Sequence, residues 1–518
     1  MKRSGSLLIQ LIIVIALGAL MPLAFAPFNH WWLSPLLLMT WQLTIKKTSN
    51  RRSFWLSYIF GLSIFTTGLW WVRISVNQFG GAPLPLAIGA VVLLSSYLAI
   101  YYGLLGYITK KFNLGVATRY LLLFPTVGVL LEVLRAHVFT GFPWLAMGYT
   151  LTPTMFAQHL FPVFGALISS FVVYWVAGIL LLILTAFSQI SFVRSFAGIV
   201  VSALIIVGST FGLQKYLSDP IQDQAESINV ALIQGNITQD QKFDENKFEA
   251  SINTYLSLTE SVITKANLVV WPETAVVAYY HHMDGLMSNL RKWSDYTDTE
   301  ILLGIPRAQQ SQEFNAFLHL GQSPAQDQFY DKYRLLPFGE YIPIPEVFGI
   351  FYEWINMPLA GFTKGAPQQA PFTFSQFSTQ TTGSICFEAV FGESLRYQAN
   401  QSGFLVNISN DAWFGDSLAP WQHLQIVQAR AIEFARPIAR ATNTGLTAFV
   451  AANGEIISQA PQFEATTLSA AITGKNGLTA YVKYGDNPWI IVASILFGLT
   501  IILSIINHKN KYSKNIKL

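Results

Sequence analysis

Cys386 is the sole cysteine among 518 residues, and it sits in a strand-like run, Gly383-Ser384-Ile385-Cys386-Phe387-Glu388. With no second cysteine there is no internal disulfide and no CxxC metal knuckle, so the residue is either an inert buried thiol or a nucleophile. Two other segments bear on the choice. Val270-Trp271-Pro272-Glu273-Thr274-Ala275 sets a carboxylate after an apolar stretch and a proline, where ligands of α/β sheets often lie. Tyr330-Asp331-Lys332-Tyr333-Arg334-Leu335-Leu336-Pro337-Phe338-Gly339-Glu340 holds an amine among aromatics. Taken singly, Glu273 reads as a loop carboxylate, Lys332 as a surface lysine and Cys386 as a structural thiol. Taken together they supply what acyl transfer through a thioester requires: a base for the thiol proton, a cation beside the oxyanion, and a nucleophile. A free thiol is only a few per cent ionised at neutral pH, so Cys386 needs such neighbours.

The elements that position these groups belong to two textures. The chain is 52% hydrophobic and only 12% charged, with a mean hydropathy of +0.40. Soluble domains carry about 25% charged residues, which makes this a membrane protein. The net charge of +4 is small and scattered, and no basic patch interleaved with aromatics suggests nucleic-acid binding. Apolar runs near the roughly 20 residues needed to cross a bilayer lie at 6–27, 54–74, 85–109, 120–140, 160–188, 196–213 and 488–506. A shorter run, 30–45, lies between Trp31-Trp32 and Lys46-Lys47 and reads as the return limb of a hairpin, for about eight transmembrane helices in all. Lys2-Arg3 and Ala24-Phe25-Ala26 give the first run a signal-peptide look, but its length and the hydrophobic segment that follows favour a retained span.

With eight spans and the N-terminus inside, Lys2, Arg3, Lys46, Lys47, Arg51, Arg52, Lys110, Lys111, Arg119, Arg194 and the tail lysines are cytoplasmic, against only Arg73 and Arg135 outside. The expected organisation is a transmembrane bundle over 1–213, an extracytoplasmic catalytic domain over 214–487, and a C-terminal helix with a basic cytoplasmic tail over 488–518. Within 214–487, strand candidates (228–233, 268–271, 301–305, 316–320, 381–386, 404–408, 446–451) alternate with helix candidates (246–265, 283–293, 421–434), which argues an α/β domain. The Gly- and Pro-rich stretch Trp354–Pro371 reads as a long loop, with Trp354, Ile355, Met357, Leu359 and Phe362 able to dip into lipid or cover a reaction intermediate.

The order Trp-Pro-Glu-Thr at 271–274, Tyr-x-Lys-x-x-Leu-x-Pro-Phe-Gly-Glu at 330–340 and Ile-Cys-Phe-Glu at 385–388 resembles the nitrilase, or carbon–nitrogen hydrolase, superfamily. Behind a multispan bundle and closed by one further span, the whole chain resembles the bacterial apolipoprotein N-acyltransferases. Glu132, Arg135 and Gly141-Phe142-Pro143-Trp144 echo that family's bundle; Gln234-Gly235-Asn236, Asn407–Phe414 and Ala441–Gly445 echo its outer domain. The resemblance implies an α-β-β-α sandwich, a Glu273-Lys332-Cys386 catalytic set, and no metal or other cofactor. It implies a ping-pong reaction: a phospholipid acyl donor, a Cys386 thioester, an oxyanion held by Lys332 and amides near Phe387, and a diacylated apolipoprotein as acceptor. It also suggests that Glu340 orients the amine and Glu388 supports the nucleophile, although both also read as structural ion-pair partners. Location in the bacterial inner membrane, as a monomer, follows from the same likeness. Lys242-Phe243-Asp244 stands where the family often carries Trp; Phe243 lacks the indole donor and is assigned no site role. Glu132 and Arg135 share one helix face, either as a functional site or as a pair that satisfies itself. His281-His282 reads as a surface feature. The rival functions are a tethered amidase that uses water as acceptor and a lipid transporter with a catalytically dead outer domain.

Overall fold

The computed structural model describes residues 2–186, 192–343, 346 and 361–516. Six of its helices are long and apolar enough to cross a membrane: Leu7–Ala24, Leu84–Lys111, Val116–His137, Met155–Thr185, Phe196–Leu217 and Asn487–Asn510. Asn50–Gly68 and Val72–Phe79, bent by 59° at their break, make a seventh if they act as one span. The helix expected over 30–45 is present as Leu33–Ile45, but its 13 residues reach only about two thirds of the way across a ~30 Å hydrocarbon core. Contacts divide the chain into two units: 1–70 with 88–217 and 484–518, and 71–87 with 218–483.

In the first unit small residues let helices approach closely. A Cβ on Gly148 would lie 1.7 Å from the Ala166 carbonyl oxygen, and one on Gly178 would lie 2.0 Å from that of Tyr120. Glu132 and Arg135 do not form an ion pair with each other. The Glu132 carboxylate accepts from the Ser170 hydroxyl (2.5 Å), the Tyr174 hydroxyl (2.9 Å) and the Met147 amide (3.1 Å). Arg135 donates to the carbonyls of Phe142 and Trp144, both at 2.7 Å. Each charge therefore ties its helix to the irregular 142–148 segment, satisfying backbone groups that would be costly to leave unbonded in an apolar surround.

The second unit holds two sheets. The first has six strands in the order β11-β1-β2-β3-β4-β5: β1 Gln222–Gln234, β2 Leu268–Val270, β3 Glu300–Gln309, β4 Gln312–His319, β5 Gln328–Asp331 and β11 Thr466–Asn476. The other has five, β10-β9-β8-β7-β6: β6 Thr381–Ile385, β7 Phe404–Ser409, β8 Ile438–Thr442, β9 Ala448–Val450 and β10 Ile456–Gln459. Side-chain alternation along each strand builds the layers. Val230 and Leu232 of β1 face Val406 and Ile408 of the second sheet in a shared core. Ala231 and Ile233 point the other way, onto helices Phe248–Glu260 and Asp284–Thr297. Leu405 and Val450 meet helices Gly392–Gln401 and Ala419–Phe434 on the far side. The result is the expected α-β-β-α sandwich. Strands β1, β2 and β3 run parallel, as do β6, β7 and β8, so the loops after them emerge at common edges. All seven expected strands are present; β5, β8, β10 and β11 are additional. Of the apolar residues in the expected 354–371 loop, Phe362 is buried, and Trp354, Ile355, Met357 and Leu359 lie outside the described residues.

Replacing Glu132 with Leu would strand several buried donors at about 1–3 kcal/mol each. The expected outcome is a marked fall in the unfolding temperature of the detergent-solubilised protein, with a much smaller fall for Glu132→Gln, which keeps an acceptor oxygen.

Candidate active site

Glu273 follows β2 by way of Trp271, whose amide donates to the Leu302 carbonyl (2.8 Å), and Pro272. The chain then turns at Thr274, a non-glycine residue at φ +48. The turn rests on Gly304 of β3, where a Cβ would meet the Pro272 oxygen at 2.5 Å and the Glu273 Cα at 2.7 Å. Only a glycine there lets the carboxylate sit where it does.

Lys332 leaves the end of β5, its amide bonded to the Asn315 carbonyl of β4 at 2.9 Å. Its Nζ lies 3.1 Å from Glu273 Oε1 and 3.0 Å from the Glu340 carboxylate, and the residue is 1% exposed. The Asn315 amide nitrogen bridges the same carboxylates, 2.8 Å from Glu273 Oε1 and 2.7 Å from Glu340 Oε1. The remaining oxygens accept backbone N–H groups: Asn410 to Glu273 Oε2 (2.8 Å) and Leu336 to Glu340 Oε2 (2.7 Å). Every carboxylate oxygen in the array is thus hydrogen-bonded, the condition under which buried charge is tolerated.

Cys386 sits directly after β6 at φ +52, the left-handed region, and opens a short 3₁₀ turn, Cys386–Val390. Glu388 braces this elbow. Its carboxylate takes the amides of Ile385 (2.8 Å), Tyr333 (2.7 Å) and Arg334 (3.1 Å) and the Tyr330 hydroxyl (3.1 Å). The nucleophile's turn and the segment after Lys332 are thereby bound to one side chain. The Phe387 ring packs edge-on against Phe391 at 5.2 Å.

Electrostatics decide the resting protonation states. Burial pushes the Glu273 carboxyl up, but Lys332 and the hydrogen bonds from Asn315 and Asn410 outweigh it and hold it below the usual carboxylate range. Burial alone would lower Lys332; the charges of Glu273 and Glu340 raise it well above an ordinary lysine. The Cys386 thiol is driven far up, first by burial and then by the Glu273 charge, with Lys332 opposing. Burial raises Glu388 as well. The resting site therefore pairs an ammonium with two carboxylates beside a neutral thiol.

One neighbour was missed from sequence. Lys242, in the segment given no role, is buried, and its Nζ donates to the Glu273 carbonyl at 3.0 Å. Burial pushes its pKa down to about 8, with Glu273 and Cys386 opposing. Nearby, Gln239 Oε1 accepts from the Asn410 side-chain amide (3.1 Å), whose oxygen takes the Asn443 amide (3.1 Å). A helix of four residues, Gln239–Lys242, is too short to show a hydrophobic period, so nothing local marked this lysine as buried. Phe243 lies 6.4 Å from Trp413, ring to ring. His281 and His282 are exposed, as expected. A cavity of 520 Å³ lined by Tyr333, Arg334, Glu393, Arg396 and Lys483 includes none of the catalytic candidates.

Because the folded chain holds Lys242 below its ordinary value, the unfolded chain binds more protons at this site between about pH 8 and 10.5, so the contribution of Lys242 to stability rises with pH in that window, while the raised Cys386 thiol contributes with the opposite sign. Lys242→Met is expected to remove that contribution, measured as the difference between the wild-type and variant profiles of unfolding temperature against pH in detergent.

The carbon–nitrogen hydrolase family matches residues 229–480, and the apolipoprotein N-acyltransferase N-terminal domain matches residues 17–179. Among curated relatives, an apolipoprotein N-acyltransferase of Pasteurella multocida is 32% identical over 97% of this chain and 96% of its own. Those of Haemophilus ducreyi and Methylococcus capsulatus are each 35% identical, over 95% and 93% of this chain and 97% and 94% of their own. A CN-hydrolase superfamily protein of known structure from Xanthomonas campestris covers 48% of this chain and 91% of its own at 17% identity and a TM-score of 0.36, too loose a likeness to carry a functional reading. With matching architecture at both ends and relatives aligned along nearly its whole length, the chain belongs to the apolipoprotein N-acyltransferase family.

Proposed function

We propose that Cys386 takes an acyl chain from a phospholipid ester and passes it to the N-terminal amine of a diacylglyceryl-cysteine apolipoprotein, giving the triacylated lipoprotein. The name shared by the relatives supports the substrates. The chemistry rests on one observation: a buried Lys332 clamped between Glu273 and Glu340, acting electrostatically on a thiol held in a strained elbow.

In the first half-reaction the Cys386 sulfur bonds to the ester carbonyl carbon as its proton passes to Glu273. The oxyanion so formed faces Lys332 Nζ and the Phe387 N–H. The carbon–oxygen bond then breaks, and Glu273 returns the proton to the departing glycerol oxygen, releasing a lysophospholipid. In the second half the acceptor amine attacks the thioester, gives its proton to Glu273, and expels the sulfur, which recovers that proton. The carboxyl is low and the thiol high in the resting site, so the transfer between them is uphill until a carbonyl is in place. The thiolate forms only with attack, which keeps a lone reactive thiol quiet between turnovers. Glu340 keeps Lys332 charged and aimed, and Glu388 fixes the elbow.

The organisation follows from the substrates. Each buried CH₂ of an acyl chain resists leaving the bilayer by about 0.8 kcal/mol, so the catalytic domain is held at the membrane by flanking spans. We assign 1–213 to the bundle, 214–487 to the catalytic domain on the periplasmic side, and 488–518 to the last helix and its tail, with both termini cytoplasmic and the chain a monomer. The basic residues on the assigned inner segments support this orientation.

The test is incubation of the purified full chain with labelled phospholipid and a diacylated peptide. The expected product is a hydroxylamine-resistant, amide-linked acyl chain on the peptide; release of free fatty acid alone would favour a hydrolase. Lys332→Met is expected to lower the rate by about 10²–10³-fold, and Cys386→Ala to abolish it. Wild-type Cys386 is expected to react with iodoacetamide at pH 7 far more slowly than free cysteine, because its thiol is held protonated.

A further inference from the structure

Behind Cys386 lies a second buried polar cluster that the reaction above does not use. His423, on helix Ala419–Phe434 and fully buried, places Nε2 3.1 Å from the carbonyl oxygen of Cys386. A carbonyl oxygen only accepts, so that contact is a hydrogen bond with the proton on Nε2. The other ring nitrogen, Nδ1, lies 3.1 Å from an Arg440 guanidinium nitrogen, which only donates, and 3.4 Å from Asp411 Oδ1. A neutral ring with its proton on Nε2 satisfies the carbonyl and the guanidinium together. Arg440 in turn is paired with Asp411 Oδ2 at 2.8 Å and bonded to Asn407 Oδ1, and Asp411 Oδ1 takes the Ser409 hydroxyl at 2.7 Å. All of these residues are buried, so the histidine is anchored from its rear. Burial, then the Arg440 charge, holds His423 below an ordinary imidazole, consistent with the neutral ring.

What this fixes is a peptide plane. The Cys386–Phe387 bond is trans and planar, so its C=O and N–H point in opposite directions. Holding the carbonyl toward His423 aims the Phe387 N–H the other way, to the side where an oxyanion would form. Cys386 at φ +52 is a backbone conformation that non-glycine residues keep only when their surroundings hold them. Glu388 grips the turn through Ile385 N, upstream of the nucleophile; downstream of it the 3₁₀ turn's own i→i+3 bonding and the His423 ring both draw on the Cys386 carbonyl, and His423 is the side chain that does so.

We infer that His423 is a positioning residue that orients the Cys386–Phe387 peptide through the Cys386 carbonyl and so aims the Phe387 N–H at the tetrahedral oxyanion. This rests on the acyl-transfer reading above, and it separates two functions of the site: His423 serves the oxyanion, not the ionisation of the thiol.

Two amide variants split the ring's two contacts. Gln places an amide N–H where Nε2 lies and reaches the carbonyl; Asn places its amide where Nδ1 lies, keeping an acceptor for Arg440 but losing the carbonyl. Two rates are read on the full chain in detergent with phospholipid: acylation of Cys386, which builds an oxyanion, and iodoacetamide alkylation of Cys386, which does not. His423→Asn is expected to slow acylation by on the order of 10–10²-fold with alkylation changed no more than about threefold, and His423→Gln to recover acylation to within about tenfold of wild type. Asn acylating as fast as Gln, or acylation and alkylation falling together in both variants, would overturn the clamp. No acylation in the wild-type chain would instead overturn the reading on which it rests.

Discussion

A single buried ammonium organises the active centre. Lys332, 1% exposed, is held by two carboxylates at 3.1 and 3.0 Å, and Asn315 bridges the same two from the adjacent strand. Two buried carboxylates facing one ammonium would leave a net negative charge in a low-dielectric site, a costly arrangement next to a thiol that must become anionic. The protonated form of Lys242, bonded to the Glu273 carbonyl, brings the group of four to neutrality. The sheet ends explain how these residues meet. Glu273 follows β2, Lys332 follows β5, Cys386 follows β6 and Asn410 follows β7, so segments far apart in sequence deliver their groups to one edge.

Strain accompanies the charge. Thr274 at φ +48 and Cys386 at φ +52 both adopt left-handed backbone directly beside reacting groups. Such conformations cost about 1–3 kcal/mol each and persist only when neighbours over-determine them. Gly304 makes room for the first, and Glu388 and His423 hold the second. The same logic governs the bundle: Glu132 and Arg135 earn their place by satisfying the irregular segment around Met147 and Trp144.

Much of this was legible beforehand, and what escaped did so for physical reasons. Long apolar runs announce spans because the bilayer demands length, but the 13-residue helix Leu33–Ile45 and the 59° break after Gly68 blur any count. Strands with continuous buried runs, such as 404–408, stood out; β5 is only four residues, and β8 carries Arg440 in its centre, a charge that reads as a break until Asp411 is found beside it. The trio could be read because three residue types recur in one order. Lys242, Asn315 and His423 could not, because each becomes meaningful only through a partner from another strand or helix: Glu273 for the first two, the Cys386 carbonyl for the third. Burial turns an ordinary polar residue into part of the site, and burial is a tertiary property.

The account holds that the acyl chain is carried on sulfur between donor and acceptor. Intact-protein mass spectrometry of the full chain, after exposure to phospholipid without acceptor, tests this most directly. A mass increase of one fatty acyl group, removed by hydroxylamine, mapped to Cys386 and absent from Cys386→Ala, is the predicted result. An unmodified chain that still acylates the diacylated peptide when acceptor is added would contradict it.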